Sequence, residues 1–182
     1  MTGKHKQRGF SLIEAAIVLA VVGLVIGGIW VATSSFMQAL KVNKTIEGMI
    51  LIAKKTQDII DLRSASTIGA TFIHEVIIKA DGVPKDWVKT SGNLISPFGK
   101  TVIIYNKVTW FEIWLTDISR TPCVNILIKF SSMSSSTGGY VEVWPSGLYT
   151  HSFPISPNNA GSFCSSTTSN EIRFAFPYIR RN

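Results

Sequence analysis

KQRGFSLIEAAIVLAVVGLVIGGIW, from Lys6 to Trp30, places one acid, Glu14, in a stretch otherwise fit for a bilayer. From Ala15 to Ala32 there are eighteen consecutive residues without charge or proline. As a helix, that run just crosses ~30 Å of hydrocarbon, and Phe10 to Ile13 extend it upstream of the acid. Lys4, Lys6 and Arg8 precede it, so the positive-inside rule puts the tip in the cytoplasm and the bulk of the chain outside. An ionised carboxylate in the bilayer costs about 2.5–3.5 kcal/mol on insertion scales, which makes Glu14 a functional hypothesis by default.

Downstream, Ala32-Thr33-Ser34-Ser35 has the small residues of a weak signal-peptidase site, yet the helical pattern runs straight through it. Met37, Leu40, Val42, Ile46, Met49, Ile50, Ala53 and Ile60 follow the spacing of a helix face. No proline lies between Phe10 and Arg63, and Lys41, Lys44, Lys54, Lys55, Asp58 and Asp61 interleave with the apolar positions. Lys54 and Asp58 meet at i,i+4 on the solvated side. The pattern predicts one helix from Phe10 to about Leu62, ~80 Å long at 1.5 Å per residue. Its first half is apolar all round, with a small-residue face at Gly23-xxx-Gly27; its second half is amphipathic.

Arg8-Gly9-Phe10-Ser11-Leu12-Ile13-Glu14, followed by this helix, resembles the class III signal of type IV pilins and related pseudopilins. The resemblance implies that a membrane-embedded prepilin peptidase cuts between Gly9 and Phe10 and that Phe10 is then N-methylated. It implies that Glu14 of one subunit pairs with the terminal amine of its neighbour as subunits enter a helical filament. An assembly platform and its ATPase are further implied partners. The precursor is expected in the inner membrane of a bacterium and the finished subunit in an extracellular pilus. The expected domains are a leader at 1–9, an anchoring and assembly half-helix at 10–33, an amphipathic half at 34–62 and a head at 63–182.

For the head the expected class is α+β, an antiparallel sheet laid on the amphipathic half of the long helix. Ser64-Ala65-Ser66-Thr67 reads as a loop, and Ile68, Phe72, Ile73, Val76, Ile77 and Ala80 as one face of a short helix ended by Asp81-Gly82-Val83-Pro84. Strands are expected at Lys100–Asn106 and Thr109–Thr116, at the alternating Val124, Ile126, Ile128 and Phe130, at Tyr140–Trp144 and at Glu171–Phe176. Ser131–Gly139 reads as a hairpin loop. Phe111, Ile113 and Leu115 should face the helix, leaving Trp110, Glu112 and Trp114 on the other side, either as subunit contacts or beneath the C-terminal loop. Gly82 to Val88 and Asn93 to Lys100 also resemble the region between helix and sheet in type IVb pilins, including plasmid thin-pilus pilins.

Two cysteines, Cys123 and Cys164, fall in the exported part, and an even count in an oxidising compartment suggests a disulfide. Closing that loop is worth roughly 4 kcal/mol in the chain-entropy model. In the pilin resemblance the bond staples the C-terminal segment to the sheet.

The net charge of +7 is scattered beyond the basic tip, so no clustered nucleic-acid footprint is present. Neither cysteine has a second ligand at metal spacing, and no phosphate loop or nucleophile motif occurs. His74-Glu75 is the only adjacent acid–base pair and reads as surface. No cofactor and no enzyme activity is expected. The sequence therefore reads first as a pilus subunit, then as a minor pilin or type II secretion pseudopilin. A signal-anchored periplasmic protein without a polymer comes last, because it leaves Gly9, Phe10 and Glu14 unexplained.

Overall fold

The computed structural model describes residues 12–60, 62–133, 140–150 and 154–178. The chain forms two compact units, residues 1–39 and 40–182. Helix α1, Leu12–Ile59, contributes to both. It stops three residues short of the expected end, and the predicted start at Phe10 lies outside the described residues. In the first unit the described part is helix alone.

In the second unit α1 buries Val42, Thr45, Ile46, Met49, Ile52, Ala53 and Thr56, an i, i+3/i+4, i+7 stripe. The stripe joins a core with the inward side chains of a seven-stranded antiparallel sheet. Its strands are β1 (Thr71–Phe72), β2 (Leu94–Ile95), β3 (Thr101–Asn106), β4 (Trp110–Ile118), β5 (Tyr140–Trp144), β6 (Leu148–Thr150) and β7 (Asn170–Pro177). The spatial order is β1-β3-β4-β7-β5-β6, with β2 also paired to β3. The last strand thus lies between the β3–β4 and β5–β6 hairpins. Phe111, Ile113 and Leu115 of β4 point into the core, as the alternation predicts. This is an α+β fold in which a long helix packs under an antiparallel sheet.

Two expectations fail here. Val124 to Phe130, read as a third strand, lies in a helix, α4 (Arg120–Met133). Its apolar residues satisfy both periods: Val124, Ile126, Ile128 and Phe130 alternate, but Cys123, Ile126, Leu127 and Phe130 lie at i, i+3, i+4 and i+7. The second set is the one buried. Pro122 sits in the first turn, where its missing N–H costs nothing. Ser131–Met133 therefore end a helix instead of opening a loop, and residues 134–139 of the predicted loop lie outside the described set.

The second failure covers the loop expected at Ser64 to Thr67, which is helical, and the helix placed across Ile68 to Ala80. The chain forms α2 (Leu62–Ile68), then β1, then α3 (His74–Lys79). Gly69 at φ +74° closes α2, and its N–H donates to the Ala65 carbonyl. Phe72 is 55% exposed because it sits on an edge strand opposite Tyr105, and only Ile73 and Ile77 of the predicted face are buried throughout.

Asn106 ties these pieces together. Its amide donates to the carbonyls of Ala65 (2.9 Å) and Gly69 (2.6 Å), and its Oδ1 accepts from the Val108 N–H and the Tyr178 hydroxyl. All of its polar capacity is used while it is fully buried. Burial raises the Tyr178 pKa, which keeps the phenol a donor.

Gly48 has a steric reason to be glycine. A Cβ there would lie 2.6 Å from Cη2 and 2.9 Å from Cε2 of the buried Trp87 indole. The helix gives up roughly 1 kcal/mol of propensity so that the ring can lie on its backbone. Gly48→Ala should therefore lower stability by about 1–3 kcal/mol through overpacking, despite alanine's better propensity. Urea unfolding of the detergent-solubilised chain, followed by indole fluorescence, reads this; an unchanged or higher midpoint refutes it.

Candidate functional site

The sequence points first to the apolar half of α1. Gly9 and Phe10 lie outside the described residues. Glu14 lies in the first turn of α1, is exposed, and is the one charged residue between Leu12 and Leu40. A carboxylate there is favoured by the partial positive charge of the helix start. Around it Leu12 is 91% exposed, Ile13 70% and Leu24 78%. By length and composition the helix can cross a membrane, and its most apolar window has none of its residues buried. Beta-carbons built at Gly23, Gly27 and Gly28 would meet nothing within 4 Å. So the small residues of this half pack against no part of the described chain.

Cys123, in the first turn of α4, is disulfide-bonded to Cys164, which caps α5 (Pro157–Phe163). The Cα atoms are 6.0 Å apart and both residues are fully buried. The bond therefore joins α4, rather than a strand, to the segment that leads into β7.

The outward face of the sheet holds a group that sequence spacing left unresolved. Glu112 of β4 points away from the core yet is only 2% exposed. Its carboxylate accepts from Trp110 Nε1 (3.1 Å), Trp114 Nε1 (2.8 Å) and the Tyr140 hydroxyl (2.7 Å). The two tryptophans are thus spent on a carboxylate beneath them. Desolvation, and then the Glu112 carboxylate, raise the Tyr140 pKa, so it stays a protonated donor. Alternation places Trp110, Glu112 and Trp114 on one face. Only the register of β7 between β4 and β5 brings Tyr140 and Arg173 to them.

Elsewhere, a bulge in β4 sets Asp117 at φ +56° against Lys100. The hydrogen bond from that ammonium, followed by one from Ser169, holds the carboxyl below its usual range. The pair is about half exposed, so it adds little stability. His74 and Glu75 open α3, Glu75 on the surface and His74 half-buried. Among the described residues no group of three His, Cys, Asp or Glu is placed to hold a metal ion.

Residues 4–30 match the family described as the prokaryotic N-terminal methylation motif. No curated protein sequence matches the chain. Among solved structures, the chain is similar to the crystal structure of the type IVb pilin from Salmonella typhi. The TM-score is 0.55 at 18% identity, over 76% of this chain and 99% of that one. The chain thus combines a type-IV-pilin-like fold with an N-terminal methylation signature.

Proposed function

We propose that the chain is a type IV pilin of the IVb or thin-pilus kind, held in the inner membrane and then polymerised into a surface fibre. The observation that carries this reading is Glu14. It is a solitary carboxylate in an unburied apolar helix, inside the methylation signature of residues 4–30 and on the same chain as a pilin-like head. An acid in the bilayer needs a partner, and cleavage after Gly9 creates one: the cationic amine of Phe10. Residues 1–9 are then the leader, 10–33 the anchor and assembly segment, 34–62 the amphipathic half-helix and 63–182 the head. Prepilin peptidase makes the cut and methylates Phe10, and an assembly platform with its ATPase extracts the subunit into a helical filament. Heterologous contacts that do not close give such a fibre.

Mass spectrometry of the subunit from sheared fibres should find a chain beginning at methyl-Phe10. Gly9→Leu should leave full-length precursor in the membrane, because only a minimal residue lets the peptidase approach the backbone. Efficient processing of that variant, or a soluble product beginning near Ser34, contradicts the proposal.

A further inference from the structure

Between Glu14 and Lys41 helix α1 carries no charge, an interval of twenty-seven residues. At 1.5 Å per residue that is a climb of ~40 Å, the thickness of a bilayer with both of its headgroup layers. The hydrocarbon alone takes about 20 residues, so counted from Glu14 it ends near Ser34. Trp30 and Phe36 straddle that level and are 74% and 62% exposed, as in the aromatic belt at a membrane boundary. The next charges after Glu14 are Lys41 and Lys44, which fall at the depth of the second headgroup layer.

A third lysine joins them from the head. Lys129 of α4 donates from Nζ to Oδ1 of Asn43 (2.8 Å), which lies between Lys41 and Lys44 in sequence. An ammonium has three donors, so this bond fixes Lys129 beside α1 and leaves two of them to spare. All three lysines are exposed, and among the described residues none is paired with a carboxylate. Other cations of the head are met: Lys100 by Asp117, and Arg173 by Glu142 and Glu171. Neither α4 nor α1 from Ala15 to Ile46 contains an acid that could answer the three. Their charge matches a surface of phosphates, and their depth along α1 is where a bilayer supplies one. We infer that Lys41, Lys44 and Lys129 form a docking site for anionic phospholipid headgroups in the leaflet from which the head emerges. The inference rests on the proposed insertion of α1 in a bilayer, and not on the filament. Attraction of this kind fades within a Debye length, so the contact is close and sensitive to salt.

The test is site-resolved lysine acetylation, read by mass spectrometry, on the full chain in nanodiscs of phosphatidylcholine alone or mixed with phosphatidylglycerol. Phosphatidylglycerol should slow labelling of Lys41, Lys44 and Lys129 by about fivefold or more, and high salt should reverse the slowing. Lys107 is the internal control. Its neighbour Asn106 bonds Ala65 and Gly69, beyond the C-terminal end of α1, and its rate should not change. In the double variant Lys41→Gln/Lys44→Gln, Lys129 should lose most of its protection. Both substituted positions are exposed, so the melting temperature should stay unchanged. Equal rates in the two kinds of disc, or a slowing shared by Lys107, overturn the inference and leave the anchor reading intact. A chain that does not enter the discs removes both. Slowing by inorganic phosphate in phosphatidylcholine discs also overturns the inference, since a soluble anion then suffices. So does slowing that needs no phosphatidylglycerol and grows with protein concentration in detergent, since the occupant is then a second copy of the chain.

Discussion

Glu14→Leu should abolish surface fibres while leaving cleavage after Gly9 intact. The residue lies in the first turn of α1, and every neighbour from Leu12 to Leu40 is uncharged. In the monomer the acid is tolerable, close to the interface and to the positive end of the helix. In a fibre it would be buried among other subunits, and so would the amine at Phe10. Removing one member of a buried pair costs about 3–5 kcal/mol, because the other charge is left without compensation. That penalty recurs at every subunit added, so a modest local loss becomes near-complete loss of polymer. The measurement is an immunoblot of sheared surface material beside one of the membrane fraction. Processed subunit should collect in the membrane and be absent from the sheared fraction. Normal piliation by the variant removes the assembly role of Glu14. Glu14→Gln separates charge from shape: if pairing with an amine is the mechanism, it should fail almost as badly as leucine.

The second large effect concerns the head. Reducing the Cys123–Cys164 bond, or replacing both cysteines with alanine, should destabilise the head by roughly 4 kcal/mol on the loop-entropy account. The bond spans 41 residues, including β5, β6 and α5. Domains of this size have total stabilities of about 5–15 kcal/mol, so the loss is a large share of the whole. Alanine is the better probe because serine would add buried hydroxyls at two fully buried positions. Urea midpoints with and without reductant should differ in the native chain and coincide in the alanine variant. Midpoints insensitive to reductant in the native chain show that the staple contributes nothing.

What the sequence made legible follows from the range of its signals. The apolar half of α1 is local: an uninterrupted apolar run and a single acid need no tertiary partner to be recognised. β4 and its inward Phe111, Ile113 and Leu115 were equally legible, because alternation on a half-buried strand is local too. The region of α4 was not, because Val124 to Phe130 satisfies both the two-residue and the helical period over seven positions. Length and the buried set Cys123, Ile126, Leu127 and Phe130 decide for helix. Gly48 had no readable signal, since its reason is an indole thirty-nine residues away. The Glu112 cage was hidden for the same reason. Its members come from strands whose approach depends on β7, the last strand, entering the middle of the sheet.

That position of β7 also has a consequence in time. As the chain emerges from its N-terminus, α1, the β3–β4 hairpin and α4 are available first, and the β5–β6 hairpin next. The two hairpins have no ladder with each other; β4 of the one and β5 of the other pair with β7 between them. Until residues 170–177 arrive, the head therefore presents two raw strand edges facing a gap of one strand's width, the kind of edge that pairs with the wrong chain. Cys164 emerges just before that strand, and its partner Cys123 is already present on α4. The staple is thus in a position to hold the incoming segment beside its slot, so that the sheet closes on its own chain before it meets another.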